Sequence, residues 1–121
     1  RRLPHMALGD LEREVMSQLW DAREPLTVRQ VHERLSRERD LAYTTVMTVL
    51  DRLAKKGVVE QIRDGRAYRY APVQTREQMT AGLMLDALGD SPDRDAALAY
   101  FVGQLPPDAL AAAIAAAKKH P

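Results

Sequence analysis

The apolar positions fall first into helical spacing. Leu11, Val15 and Leu19 recur at i, i+4 and i+8 with Met16 and Trp20 beside them, and Asp10 stands where a side chain caps such a helix. Pro25 stops it. Thr27 caps a second helix that turns Val28, Val31 and Leu35 inward, and Gln30 is the partner a capping box asks for. The polar run Ser36 to Asp40 closes that helix. A third opens at Thr44 or Thr45 and directs Val46, Val49, Leu50 and Leu53 to the core. Gly57, directly after Lys55 and Lys56, sits where a glycine terminates a helix and cations meet its negative end.

The period then changes to two. Val58 to Arg63 is strand-like, Asp64-Gly65 is a preferred type I′ turn dipeptide, and Arg66 to Tyr70 returns until Pro72. Helical spacing resumes afterwards. Thr75 caps a helix to about Leu88 with Met79, Leu83 and Ala87 on one stripe. Ser91-Pro92 opens another, leading to Leu98, Phe101, Val102 and Leu105. Pro106-Pro107-Asp108 starts an alanine-rich helix with Leu110 and Ile114 that ends in Lys118-Lys119. The pattern predicts a mainly α fold with a small β-hairpin: a winged helix-turn-helix over residues 7–72, then a three-helix dimerisation region over residues 73–121.

Composition narrows the classes. The 121 residues are 45% hydrophobic and 29% charged, a globular balance. Zero cysteines exclude disulfides and thiolate metal sites. No apolar run approaches the ~18 residues of a spanning helix, and no stretch has a signal-peptide layout, so the simplest expectation is a soluble intracellular protein. Arg1 to Met6 read as a leader or an appended remnant. The net charge of +1 hides an asymmetry: residues 1–72 hold 14 Lys and Arg against 11 Asp and Glu, and residues 73–121 hold 4 against 6.

The basic surface concentrates further. Residues 52–69 hold Arg52, Lys55, Lys56, Arg63, Arg66 and Arg69 against only Glu60 and Asp64. A short helix followed by an arginine-bearing hairpin suits a DNA duplex, because the helix enters the major groove while cations neutralise phosphates. With its apolar stripe inward, the third helix presents Tyr43, Thr44, Thr45, Met47, Thr48 and Arg52 outward. Threonine hydroxyls suit phosphates or bases, their methyls and Met47 suit thymine methyls, and Lys55 and Lys56 suit phosphates. Alternation on the hairpin puts Tyr68 and Tyr70 on one face and Ala67 and Arg69 on the other. One tyrosine packs inward, leaving Arg63, Arg66, Tyr68 and Arg69 as wing contacts.

Each feature alone has a plainer account: a helix start at Tyr43-Thr44-Thr45, dipole-complementing lysines, a solvated arginine face. Their order is what favours DNA. The rival class is a winged-helix protein-interaction module, and the small polar outer face of the third helix speaks against it. No reading as an enzyme has residues to carry it: His5, His32 and His120 are scattered, no carboxylate pair or phosphate-binding loop stands out, and no metal or cofactor is expected. His32 is assigned no role. Three short C-terminal helices cannot enclose a sufficient core alone, so their stripes are expected on a partner copy. That makes Met79, Leu83, Leu98, Phe101, Val102, Leu105, Leu110 and Ile114 the dimer-interface candidates.

Three segments carry a family likeness. They are Gly9-Asp10-Leu11-Glu12 with Val15-Met16 and Trp20; Leu41 to Leu53 followed by Lys55-Lys56-Gly57; and the wing Asp64 to Tyr70. Together they closely resemble the BlaI/MecI penicillinase-repressor family in its actinobacterial branch, from about Leu8 onward. The resemblance implies a homodimeric repressor bound to a palindromic operator, often upstream of β-lactamase and sensor genes, acting in the cytoplasm at the nucleoid. Its DNA contacts fall here on Thr44, Thr45, Met47, Thr48, Arg52 and the wing from Arg66 to Arg69. Thr44 and Met47 stand where staphylococcal members carry lysine and arginine, so the resemblance leaves the operator sequence open. The resemblance also implies induction through a membrane sensor protease, with cleavage before a phenylalanine; Tyr100-Phe101 matches that place, with tyrosine for the staphylococcal asparagine. Related copper-responsive repressors use a cysteine cluster this chain lacks. Control of a different stress response by the same fold is the other alternative.

Overall fold

Nine elements follow one another in the computed structural model, which describes residues 8–119. They are α1 (Asp10–Asp21), β1 (Leu26–Thr27), α2 (Val28–Leu35), α3 (Tyr43–Lys55), β2 (Val59–Asp64), β3 (Ala67–Pro72), α4 (Arg76–Gly89), α5 (Arg94–Gln104) and α6 (Pro107–Lys119). Arg1 to Met6 and His120 lie outside the described residues. The chain forms two compact units, Arg1–Ala81 and Gly82–Pro121.

The first unit is a winged helix. Val15, Met16 and Leu19 of α1 pack with Val31 and Leu35 of α2 and with Val46, Val49, Leu50 and Leu53 of α3. Leu26, Val59 and Tyr70 close this core from the sheet. Each such side chain, once buried, contributes about 1.5–3 kcal/mol of hydrophobic stabilisation. The stripes are those the periodicity predicts; the ends differ. Gly9, not Asp10, holds the N-cap of α1, and its N–H donates to Glu12 Oε1 at 3.0 Å. The Thr27–Gln30 capping box forms as expected, with bonds of 2.9 and 3.2 Å. α3 starts at Tyr43 after an extended Ala42, so Thr44 and Thr45 lie inside its first turn. Gly57 ends α3 at φ 78°, and the Gly57 and Val58 N–H groups donate to the Ala54 and Leu53 carbonyls, both at 3.0 Å, in a Schellman motif.

The sheet is larger than a hairpin. β1, only two residues long, pairs antiparallel with β3 and gives the order β1-β3-β2. Asp64 pairs with Ala67, so the turn residues are Gly65-Arg66 rather than Asp64-Gly65. Gly65 has φ 63° and Arg66 has no positive φ, the signature of a glycine-first type II′ turn. Pro72 is the last residue of β3 instead of the stop beyond it.

The first unit continues past Pro72 because the start of α4 is tied to α1. Trp20 Nε1 donates to the Gln74 carbonyl at 2.9 Å. Arg76 pairs with Asp21 at 3.2 Å and lies 5.3 Å over the Trp20 ring. Thr75 and Gln78 form the expected cap, with bonds of 2.9 and 3.0 Å. In the second unit Asp93, not Ser91, caps α5 by accepting from the Ala96 N–H at 3.1 Å. Proline at 107 opens α6. No residue of α5 or α6 is buried.

Candidate nucleic-acid interface

α3 presents a clear division. Val46, Val49, Leu50 and Leu53 are 5% exposed or less, whereas Tyr43 and Met47 are 45% and 44% exposed and Thr44, Thr45, Thr48 and Arg52 also face water. Thr44, Thr45, Thr48, Val49 and Arg52 of α3 join Leu11 of α1 in lining a shallow groove of about 310 Å³. The Thr48 hydroxyl donates to the Thr44 carbonyl at 2.9 Å. Its lone pairs and methyl are what it offers outward. The Arg52 side chain makes no hydrogen bond or ion pair among the described residues and lies exposed beside these threonines, its charge felt by Glu12.

The two lysines at the end of α3 separate. Lys55 pairs with Asp51 at 3.2 Å, and its side chain is 78% exposed, so its charge remains available to a phosphate. Lys56 departs from the expectation: its Nζ donates to Glu12 Oε2 at 2.8 Å, with both side chains largely buried. That bond holds the Glu12 carboxyl below its ordinary range, against burial, which pushes it up; the Gly9 N–H and the charges of Lys56 and Arg52 add to the lowering. Lys56 thus joins α1 to α3 inside the domain.

The wing divides its residues too. Tyr70 is buried and accepts from Gln61 Nε2 at 2.9 Å, while Tyr68 is 41% exposed. Arg63 stacks over Tyr68 at 5.7 Å and donates to its hydroxyl at 3.3 Å, which stiffens the outer wing. Arg66 sits in the turn with no partner among the described residues. Arg69 is engaged: Nε donates to Asp64 Oδ2 at 2.6 Å, and Nη1 lies 3.4 Å from both the Pro25 carbonyl and Gln30 Oε1.

His32, given no role from sequence, has one. Its Nε2 meets the Leu41 carbonyl at 2.7 Å and its ring stands edge-on to Tyr43, with centroids 5.7 Å apart. It pins the connection between α2 and α3 at the entry of the outward-facing helix. Arg39 anchors the same connection to Glu14 of α1 at 2.5 Å. A larger cleft, about 440 Å³, lies between the ends of α1 and β3 and the start of α4. Trp20, Asp21 and Arg76 engage one another beside it, and it is away from the outer face of α3. Of the C-terminal stripe residues, Leu98, Phe101 and Ile114 are 45–49% exposed, and Met79, Leu83, Val102, Leu105 and Leu110 are half-buried. Tyr100 is 78% exposed.

A sequence profile for the penicillinase repressor matches residues 8–115. The chain belongs to the penicillinase-repressor family. Like its relatives, this family member is a DNA-binding transcriptional repressor and not an enzyme. It is 64% identical over 104 residues to the transcriptional regulator BlaI of Mycobacterium tuberculosis, an alignment that covers 84% of this chain and 75% of that protein. The solved DNA-binding domain of the repressor BlaI matches with a TM-score of 0.52 at 29% identity, over 63% of this chain and 89% of that one. Bacillus licheniformis BlaI, solved in its monomeric form with the blaP half-operator, matches with the same TM-score and identity over 60% and 88%. A MarR-family protein from Bacillus stearothermophilus shares the fold alone, at 17% identity, a TM-score of 0.52, and coverage of 94% of this chain and 73% of that one. Among the described residues no single helix is long and apolar enough to cross a membrane.

Proposed function

We propose that this repressor binds a palindromic operator as a homodimer, one winged helix per half-site, and controls β-lactamase or related antibiotic-response genes. The observation that carries the reading is the outer face of α3. Thr44, Thr45, Met47, Thr48 and Arg52 are exposed on one small, largely polar surface, with Arg66 free at the wing turn. A face of that size and polarity suits groove entry better than an apolar protein partner. The Bacillus licheniformis relative, solved in complex with a half-operator, supports DNA as the partner of this domain. Half an operator per copy calls for two copies, and α5 and α6, with no buried residue of their own, supply unpartnered apolar surface for pairing.

Release by proteolysis within α5 completes the proposal. Cutting between Tyr100 and Phe101 severs a helix that carries part of the pairing surface, so the two heads lose their linkage and avidity. A membrane sensor protease, or a protease it activates, is the partner this requires, and the cytoplasm at the nucleoid is where the repressor acts. A titration of duplex fragments from its own promoter tests the reading. Expected are one dimer per palindrome and an affinity that falls log-linearly with salt. Binding that ignores salt, or no binding to any palindrome, overturns it. Mass spectrometry of the protein from β-lactam-treated cells tests the cut.

A further inference from the structure

Arg69 looks at first like one more phosphate contact of the wing, but its guanidinium is already occupied on two sides. Nε donates to Asp64 Oδ2 at 2.6 Å, across the β2–β3 ladder near the wing turn. Nη1 lies 3.4 Å from the Pro25 carbonyl and 3.4 Å from Gln30 Oε1. Gln30 is not a loose acceptor: the same Oε1 takes the Thr27 N–H at 2.9 Å in the cap that starts α2. One planar fork therefore joins the outer wing to the first turn of α2, in the helix-turn-helix itself. The backbone reinforces the link, since Arg69 pairs with Thr27 in the β1–β3 ladder.

We propose that Arg69 is a positioning residue for DNA binding, which sets the angle of the wing against the helix-turn-helix so that Arg66 reaches the duplex. Arginine suits the task because its rigid fork addresses separate acceptors in one plane, which a lysine's single nitrogen cannot do. An ion pair this exposed adds little to stability; the Arg69 and Asp64 side chains are 34% and 58% exposed. Its use is orientation. A two-stranded ribbon is pliable beyond the core, and the braced corner is where it leaves the core. Arg66, with no partner among the described residues, is then the wing cation that meets phosphate.

The inference rests on the reading of the wing as a DNA contact, and the test separates the two. Full-length protein is titrated with a duplex that the wild type selects from a random-sequence pool, over a series of salt concentrations. Arg66→Ala is expected to reduce the magnitude of the log–log salt slope by about 0.9 per dimer-bound phosphate lost. Arg69→Ala is expected to weaken binding by about five- to tenfold and to lower the slope by no more than Arg66→Ala does, since it acts through the Arg66 contact; added to Arg66→Ala, it should lower the slope no further. Asp64→Asn is the decisive variant. Removing a negative charge near DNA should by simple electrostatics tighten binding, whereas loss of the brace weakens it. The double variant is expected to be no weaker than Arg69→Ala alone. Arg69→Lys, which keeps the charge, should recover little. A further fall of the slope when Arg69→Ala is added to Arg66→Ala, or recovery by Arg69→Lys, makes Arg69 a phosphate contact and overturns the proposal. So does tighter binding by Asp64→Asn. If Arg66→Ala also binds like wild type, the wing is not at the DNA and both readings fall. Thermal unfolding near the wild-type midpoint shows that Arg69→Ala is folded; if it is not, Asp64→Asn alone decides.

Discussion

Glu12 is the only buried charged residue among the described ones, 7% exposed, and it accepts from both Lys56 and the Gly9 backbone. Its carboxyl is held below the ordinary value of 4.5 chiefly by the Lys56 hydrogen bond. The folded-state value is the depressed one, so this pair's contribution is complete above the unfolded-state value and is lost as pH falls through the folded one. Urea unfolding between about pH 3 and 6 is expected to show stability declining with acid, and Glu12→Gln should flatten that decline while costing about 2 kcal/mol at neutral pH. An unchanged pH profile would remove the pair from the account. Little of this was legible in the chain. Lys55-Lys56 read as two phosphate cations because nothing local says that a carboxylate 44 positions away stands beside one of them. His32 escaped for the same reason: its partner is a backbone carbonyl presented by a turn, and a carbonyl has no signature in sequence.

At the scale of the element, α3 does two jobs with one turn of geometry. The stripe Val46, Val49, Leu50 and Leu53 is buried, and Leu50→Ala is expected to cost about 2–5 kcal/mol in chemical denaturation, since it opens a void in a packed core. The outer face is free of packing duty, so Thr45→Val and Met47→Ala should leave the unfolding midpoint almost unmoved. They are expected to shift base preference in selections from random operators, by about 1–3 kcal/mol at the affected position, with little change in the salt slope. A changed slope with unchanged preference would make these residues backbone contacts instead. The amphipathic division of α3 was readable because a 3.6-residue period leaves its mark over thirteen residues. β1 was not readable. Two residues are too few to show alternation, and Leu26-Thr27 becomes a strand only because β3 lies alongside to pair with it. The hairpin turn fell one residue from its expected place because cross-strand register, with Asp64 opposite Ala67, outweighed dipeptide preference.

For the whole molecule, the proposed function asks the C-terminal helices to hold two DNA-reading heads together. Leu98, Phe101 and Ile114 are each nearly half exposed in a single copy. Leu98→Asp combined with Phe101→Asp is expected to shift the protein to monomer in sedimentation, because burying two carboxylates in a paired apolar face is costly. The full palindrome should then be bound no better than a half-site, a loss of about 100-fold or more in apparent affinity from avidity alone. A variant that stays dimeric would place the interface elsewhere. The helices themselves were foreseen from spacing and caps, with one start displaced: Asp93 caps α5 because its carboxylate meets the Ala96 N–H, which Ser91 stands too early to do.

The chain alone determined what depends on neighbours in sequence: where helices run, which stripe each buries, the stop at Gly57, the hairpin, and the concentration of arginine on it. Those follow from backbone period, capping and φ preference, which act over a few residues. Tertiary structure decided which charges remain free. Lys56 and Arg69 are engaged by Glu12, Asp64 and the first turn of α2, while Arg52 and Arg66 are left open, and the three-stranded sheet exists only through a pairing across the fold. Charge pairing and strand pairing are set by proximity in space, and proximity in space is fixed only once the core has closed.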